Sequence, residues 1–299
     1  MSGPGGRQSA RSFSGESGEQ MMKPHISVCI PVYQGASTLV ATLRSVLASA
    51  RADFEVVIRD NGSTDGTSDV IAGFDDPRIR HIRSEETLPL PANWRATVEQ
   101  ARGELIKVVC ADDLIHPDCL ATQATLLEDP SLALVACRRD FIDGNGRILT
   151  RNAGLPRLLG RRGVSEVARA TVRFGINPVG EPACAMFRRK DYDAIGGFDG
   201  SNVFVMDIDA WLRILTRGDM FGQPEAHAAF RMWTESFSNS HNRQQLGEHL
   251  RFFKQVANNP RYEIPAVLRH LAPAAAHVSW RAWAVRQWLW GRRSTSKVG

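Results

Sequence analysis

From His25 onward, short apolar runs alternate with stretches whose apolar residues recur at helical spacing, and few folds satisfy such a pattern. H-I-S-V-C-I-P-V reads as a strand, and Ser37 and Thr38 read as caps of the amphipathic L-V-A-T-L-R-S-V-L that follows. Further strands are expected at Phe54 to Asp60, Arg78 to Arg83, Glu104 to Cys110 and Leu132 to Arg138. Helices are expected at Thr67 to Phe74, Ala92 to Ala101 and His116 to Leu127. This order predicts an α/β fold, a mostly parallel sheet covered by helices on both faces. D-G-N-G at Asp143 to Gly146 signals a hairpin turn. Past residue 150 the alternation fades: 150–163 reads as a basic loop, Val164 to Phe174 and Asp207 to Thr216 as helices, and the chain from Gln244 as helical.

In an open α/β sheet, ligands bind at the carboxyl ends of strands, where loops carry polar groups without disturbing the core. Two such junctions are acidic here. E-V-V-I-R-D-N-G-S-T-D-G-T runs from Glu55 to Thr67, and K-V-V-C-A-D-D from Lys107 to Asp113. Asp60 can accept from a base N–H or a ribose hydroxyl, or it can form an Asx-turn that caps its own loop. Asp112 and Asp113 can hold Mg²⁺ or Mn²⁺, which take one or two protein carboxylates and other oxygens from phosphates; the alternative is again a turn. Asp207 and Asp209 begin a helix. Asp209 lies one turn from Arg213 and can pair with it, which leaves Asp207 as the functional candidate.

Composition excludes some classes. At 299 residues, with 43% hydrophobic and 23% charged residues, the chain reads as a soluble globular protein. No run approaches the ~20 apolar residues of a membrane span. Residues 1–22, rich in Ser, Gly and Gln, are expected to be disordered and do not resemble a signal peptide. Five scattered cysteines without C-x-x-C spacing point to reduced, buried thiols in the cytoplasm. The net charge of +5 is local: residues 281–299 hold Arg281, Arg286, Arg292, Arg293, Lys297 and no acid, interleaved with tryptophans from Trp280 to Trp290. Such a tail suits an anionic membrane surface, or packs on its own domain or a partner; nucleic acid is not expected.

With these residues in hand, the chain resembles the family 2 glycosyltransferases of the GT-A fold over about Pro24 to Ser240. The matching strings run in order: P-V-Y-Q-G, D-N-G-S-T-D-G-T, N-W at Asn93 and Trp94, A-D-D, G-E-P, G-G-F-D and D-I-D-A-W-L-R. The resemblance implies a Rossmann-like, mostly parallel sheet with a helical C-terminal extension, a nucleotide-diphosphate sugar donor, and inversion at the anomeric carbon. It implies a nucleotide-sugar half at 23–140, an acceptor half at 141–240 and an extension at 241–299. By the same resemblance Pro31, Val32, Tyr33, Asp60, Asn61 and Gly62 line the donor site. Asp112, with Asp113 beside it, holds Mg²⁺ or Mn²⁺ against the donor diphosphate. Gly180, Glu181, Pro182 and Asp209 line the acceptor side, and Asp207 is the catalytic base.

Two positions depart from the family pattern. Cys110 stands where D-x-D usually begins, and a thiol is a poor partner for a hard cation. Arg231, Met232 and Trp233 stand where many members have R-x-H, so a histidine ligand is missing unless His241 substitutes. The function expected is transfer of a sugar to a saccharide or lipid-linked saccharide in bacterial surface polysaccharide or glycolipid synthesis, in the cytoplasm or at the inner membrane face. The membrane contact is assigned to residues 278–299. The competing readings are a degenerate nucleotide-sugar-binding module and a nucleotidyltransferase, the latter without a basic triphosphate loop in P-V-Y-Q-G-A-S.

Overall fold

The computed structural model describes residues 23–232 and 242–295. The expectations for residues 1–22, for Trp233 and His241, for Lys297, and for the side chains of Trp288, Trp290, Arg292 and Arg293 lie outside the described residues.

The first half is the expected alternation: β1 (Ile26–Val32), α1 (Ala36–Leu47), β2 (Phe54–Asp60), α2 (Thr67–Ala72), β3 (Ile79–Arg83), α3 (Leu90–Glu99) and β4 (Leu105–Val108). Strands β3, β2, β1 and β4 lie side by side and pair in parallel. Every residue of β1 is buried, as a strand covered on both faces requires. Its side chains divide the core. Ile26, Val28, Ile30 and Val32 pack with Leu39 and Leu43 of α1, whereas Cys29 joins the opposite cluster around Trp211 and Phe187.

The second half interleaves antiparallel strands. β5 (Leu114–Ile115), α4 (Cys119–Leu126), β6 (Leu132–Ile142), β7 (Ile148–Ala153), β8 (Gly160–Arg162), α5 (Val164–Phe174), β9 (Ala185–Arg188), α6 (Arg189–Ala194), α7 (Met206–Ile214) and β10 (Asp219–Arg231) follow in order. The sheet continues β4-β9-β6-β10-β5, with β9 antiparallel to both neighbours and β6 parallel to β10. Two helices close the described chain, α8 (Asn242–Asn258) and α9 (Ala266–Thr295).

Local expectations fail where distant contacts decide. The basic 150–163 segment is not a plain loop: β7 pairs with β6 through the expected turn, and β8 pairs with β10. The helix expected from His116 starts at Cys119, because Leu114 and Ile115 are drawn into antiparallel pairing with β10. Ser37 and Thr38 do not cap α1 through their side chains. Its first N–H groups are met from the β2 loop, Gly35 donating to Thr67 Oγ1 and Ala36 to Asp65 Oδ2, both at 2.9 Å.

Candidate active site

The loops after β1 and β2 are stitched together. Gln34 adopts a left-handed conformation (φ 54°), donates from its backbone to Ser63 Oγ at 2.9 Å, and exchanges side-chain bonds with Thr64. Pro31 and Val32 are buried, and the Val32 carbonyl accepts from Asn61 N–H at 2.9 Å, so Tyr33, at 53% exposure, presents the open surface of this rim. Asn61 is buried; it donates to the Leu88 carbonyl at 2.8 Å and accepts from Leu88 N–H at 2.9 Å, so the 84–91 loop is held at its centre. Gly62 has φ of +79° and lies close to Thr87, where a larger residue would be strained.

Asp60 is fully buried at the end of β2. Oδ1 accepts from Ser63 N–H at 2.8 Å, and Oδ2 accepts from Ser68 Oγ at 2.5 Å and Arg83 Nη1 at 2.7 Å. Burial pushes this carboxyl up, but the Ser63 and Ser68 hydrogen bonds and the Arg83 charge outweigh it and leave the group below the ordinary range. The turn-forming reading of Asp60 is therefore the one that the structure shows: its carboxylate organises its own loop at the end of β2.

The second junction gathers Cys110, Asp112 and Asp113, whose candidate ligand atoms lie within 4.8 Å of one another. Asp113 has no exposed surface. Its Oδ1 accepts from Arg231 N–H at 3.2 Å, and its Oδ2 has no hydrogen-bond partner among the described residues. Arg231 brings β10 onto this turn: Nε donates to the Asp112 carbonyl at 2.9 Å, and Nη1 donates to the Asp143 and Gly144 carbonyls at 3.1 Å. Burial raises both carboxyls, and the charge of Asp112 raises Asp113 further. An orphaned, buried carboxylate oxygen beside a second carboxylate fits a small divalent cation. Cys110 contributes little to a hard ion, so the fit rests on the two aspartates.

The third group arrives from the other half of the sheet. Asp207 lies in the first turn of α7, where it accepts from Ile208 N–H at 2.7 Å and from Asn177 Nδ2 at 2.8 Å. Burial, then the neighbouring Glu181 charge, raise its carboxyl to about 6 against those two donors. Glu181 forms an ion pair with the buried Arg139, whose guanidinium also lies over the Phe141 ring. Gly180 has φ of +110°, and a Cβ there would press on Cys184 and Arg139. Pro182 is buried in a short 3₁₀ turn, Pro182–Cys184, that follows Glu181. The Cys110 thiol, raised first by burial, feels the charges of Asp113, Asp112, Asp207 and Glu181 together. Asp112, Asp113, Glu181 and Asp207 thus all lie within electrostatic range of Cys110, and together they form an acidic locus.

Asp209 is not part of it. Its Oδ2 accepts from Arg213 Nε and Nη2 at 2.7 and 2.6 Å, the ion pair that the spacing allowed, and Arg213 continues to the Ile195 carbonyl. Sequence reasoning missed Asn177, Arg139 and Arg83 as supporting residues. A signal existed for two of them: Asn177 opens an N-P turn, and Arg139 interrupts an apolar strand. A concavity of about 500 Å³ lined by Thr122, Thr125, Leu126 and Phe221 shares no residue with the acidic locus.

Comparison with known proteins places the fold beside a known family. The model of "Glycosyl transferase family 2" matches residues 27–196. An uncharacterised Mycobacterium tuberculosis protein, MT1568, is 34% identical over 204 residues, covering 65% of this chain and 63% of its own. The succinoglycan biosynthesis protein ExoO of Rhizobium meliloti is 29% identical over 126 residues, covering 42% of this chain and 36% of its own. The chain therefore spans less than two thirds of the length of these relatives. A mannosyltransferase from Pyrobaculum calidifontis, solved with GDP-mannose and Mn²⁺, is similar in fold, with a TM-score of 0.63, 19% identity, and coverage of 93% of this chain and 77% of its own.

Proposed function

The chain belongs to glycosyltransferase family 2, and from that premise we propose that it is an inverting enzyme that moves a sugar from a nucleoside-diphosphate sugar to an acceptor hydroxyl. The observation that carries this reading is the acidic locus, where a pair of aspartates suited to a cation, from one half of the sheet, lies within electrostatic range of a separately held carboxylate from the other. Residues 23–140 supply the donor side and 141–240 the acceptor side. Asp60, Asn61 and Gly62, with the rim at Pro31 to Tyr33, line the nucleoside site. Asp112 and Asp113 would hold Mg²⁺ or Mn²⁺, which supplies positive charge against a departing diphosphate.

Asp207 takes the proton from the attacking hydroxyl. A base held opposite the leaving group favours in-line displacement, hence inversion, and such assistance is typically worth ~10² to 10⁴ in rate. With a carboxyl at about 6 it is ionised at neutral pH yet more basic than a solvated aspartate. Gly180, Glu181 and Pro182 form the acceptor wall, where Glu181, restrained by Arg139, accepts from a sugar hydroxyl. The acceptor is a saccharide or lipid-linked saccharide in surface polysaccharide synthesis, in keeping with the name of the ExoO relative, and the basic C-terminal segment supports work at the inner membrane face.

A non-catalytic nucleotide-sugar-binding module is the second reading, and Cys110 within the metal cluster is what favours it. Thermal stability measured with UDP, GDP, dTDP or CMP, each with and without Mn²⁺, tests the donor side directly. A rise with one diphosphate that needs Mn²⁺ supports the proposal. No rise with any of them, from folded protein, removes it.

A further inference from the structure

The C-terminal helix α9 is fixed to the catalytic domain by one face. Ala272 and Ala276 are buried, and Gly175 at the end of α5 lies so close to the Ala275 backbone that a Cβ there would sit 2.6 Å from it. Ser279 Oγ donates to the Gly175 carbonyl, and Trp283 packs on Phe141 of β6 with ring centroids 5.9 Å apart. Trp280 and Trp283 are both partly buried. These two tryptophans therefore serve the domain, and they are not the exposed anchors that the tail composition suggests.

The exposed apolar residues lie elsewhere on the helix. Val267, Leu271, Val278 and Val285 are 69%, 54%, 68% and 56% exposed. Spacings of four, seven and seven residues keep all four within about 40° on a helix of 3.6 residues per turn, rotated about two fifths of a turn from the buried alanines. A stripe some five turns long, with Pro273 inside the helix, thus points away from the core. Single exposed valines are ordinary, whereas an aligned row on one helix is not.

Charge identifies the occupant. The 30 residues of α9 include Arg269, Arg281, Arg286, Arg292 and Arg293 and no aspartate or glutamate. Arg281 is exposed beside the stripe. A second copy laid against this face would bring like charges together, which disfavours a homodimer there. An anionic lipid surface supplies both complements, an acyl boundary for the valines and leucine and phosphate charge for the arginines. No helix among the described residues is long and apolar enough to cross a membrane, so the helix would lie in the interface.

We propose that the Val267, Leu271, Val278 and Val285 face of α9 is the surface by which the protein docks on anionic membrane lipid. This deepens the membrane-face part of the proposed function and rests on it for purpose, but vesicle binding is read without sugar transfer, so either claim can fail alone. The experiment is co-sedimentation of the full chain with phosphatidylcholine vesicles, with and without phosphatidylglycerol. Wild type should bind the phosphatidylglycerol vesicles, with loss on adding salt. The double variant Leu271→Glu with Val278→Glu should bind about tenfold or more weakly, because two apolar contacts are lost and two like charges are set against the lipid phosphate. Both substitutions are on exposed positions, so its melting temperature should match wild type, and Leu271→Met should bind as wild type does. Three results overturn the proposal: wild type that does not bind, a double variant that binds equally, or a wild-type dimer that the double variant dissolves.

Discussion

Asn177 donates from Nδ2 to Asp207 Oδ2 at 2.8 Å and, from the same nitrogen, to the Gly180 carbonyl at 2.8 Å, while its Oδ1 accepts from Val179 and Gly180 N–H. One amide thereby fixes the Gly180 turn and the Asp207 carboxylate relative to each other, with every bonding position of the amide used. Its hydrogen bond favours the ionised form of Asp207. Asn177→Ala should therefore move the acidic limb of the activity profile upward from about 6, by roughly 0.5 to 1 unit for a bond worth ~1 kcal/mol. Turnover measured against pH checks this, and an unchanged limb with lower activity would mean that Asn177 only supports the fold.

The same carboxylate costs stability. Its folded-state value, about 6, lies above the ~3.9 of an unfolded aspartate, so the folded protein holds the extra proton between them. Stability then declines as pH rises through that window, and the penalty is complete above about 6. Asp207→Asn should be more stable than wild type by ~1 kcal/mol near neutral pH, after allowing for partial solvent screening, and the gain should vanish near pH 4. Denaturant midpoints at the two pH values measure it.

Asp113 offers a buried oxygen with no hydrogen-bond partner among the described residues, next to a second carboxylate. Mn²⁺ alone should raise the melting temperature of wild type, and Asp112→Asn should lose most of that rise. Asp113→Asn should lose it too while gaining stability in chelator, since a neutral amide escapes both the burial and the Asp112 repulsion that raise the carboxyl. Scanning calorimetry with Mn²⁺ and with chelator distinguishes these effects.

Asp60 is paired with Arg83 and with both serines of its loop. Removing it takes away the acceptor of Ser63 and Ser68, while the half-exposed Arg83 turns to water. Asp60→Ala should cost about 1 to 2 kcal/mol of stability, mainly from those lost hydrogen bonds, and should weaken nucleotide binding before it lowers turnover of bound substrate. Calorimetric titration of the variant, kept below its melting transition, tests both parts.

The parallel half of the fold was legible because β1 to β4 and their helices are written in local periodicity and acidic strand ends. The mixed half was not. β5 and β8 are two and three residues long and exist only because β10 pairs with them, a partner more than fifty residues away in each case. The candidate acids Asp60, Asp112, Asp113 and Asp207 were readable from their strings, whereas their holders were not. Arg83, Arg139, Asn177 and Arg231 act across long separations, and nothing in their own neighbourhoods names the carboxylate or carbonyl that they reach. Asp209 shows the reverse case, where an i,i+4 spacing alone foretold the Arg213 pair that withdraws it from the site.

The central claim is that Asp207 is the base of a sugar transfer whose donor is held elsewhere. The most direct measurement compares wild type and Asp207→Asn for calorimetric affinity toward UDP- and GDP-sugars with Mn²⁺, and for release of the nucleoside diphosphate in the presence of saccharide acceptors. The account predicts donor affinity within about twofold of wild type and turnover lower by ~10² or more. Weakened donor binding with turnover of bound substrate preserved would contradict it and place Asp207 on the donor side.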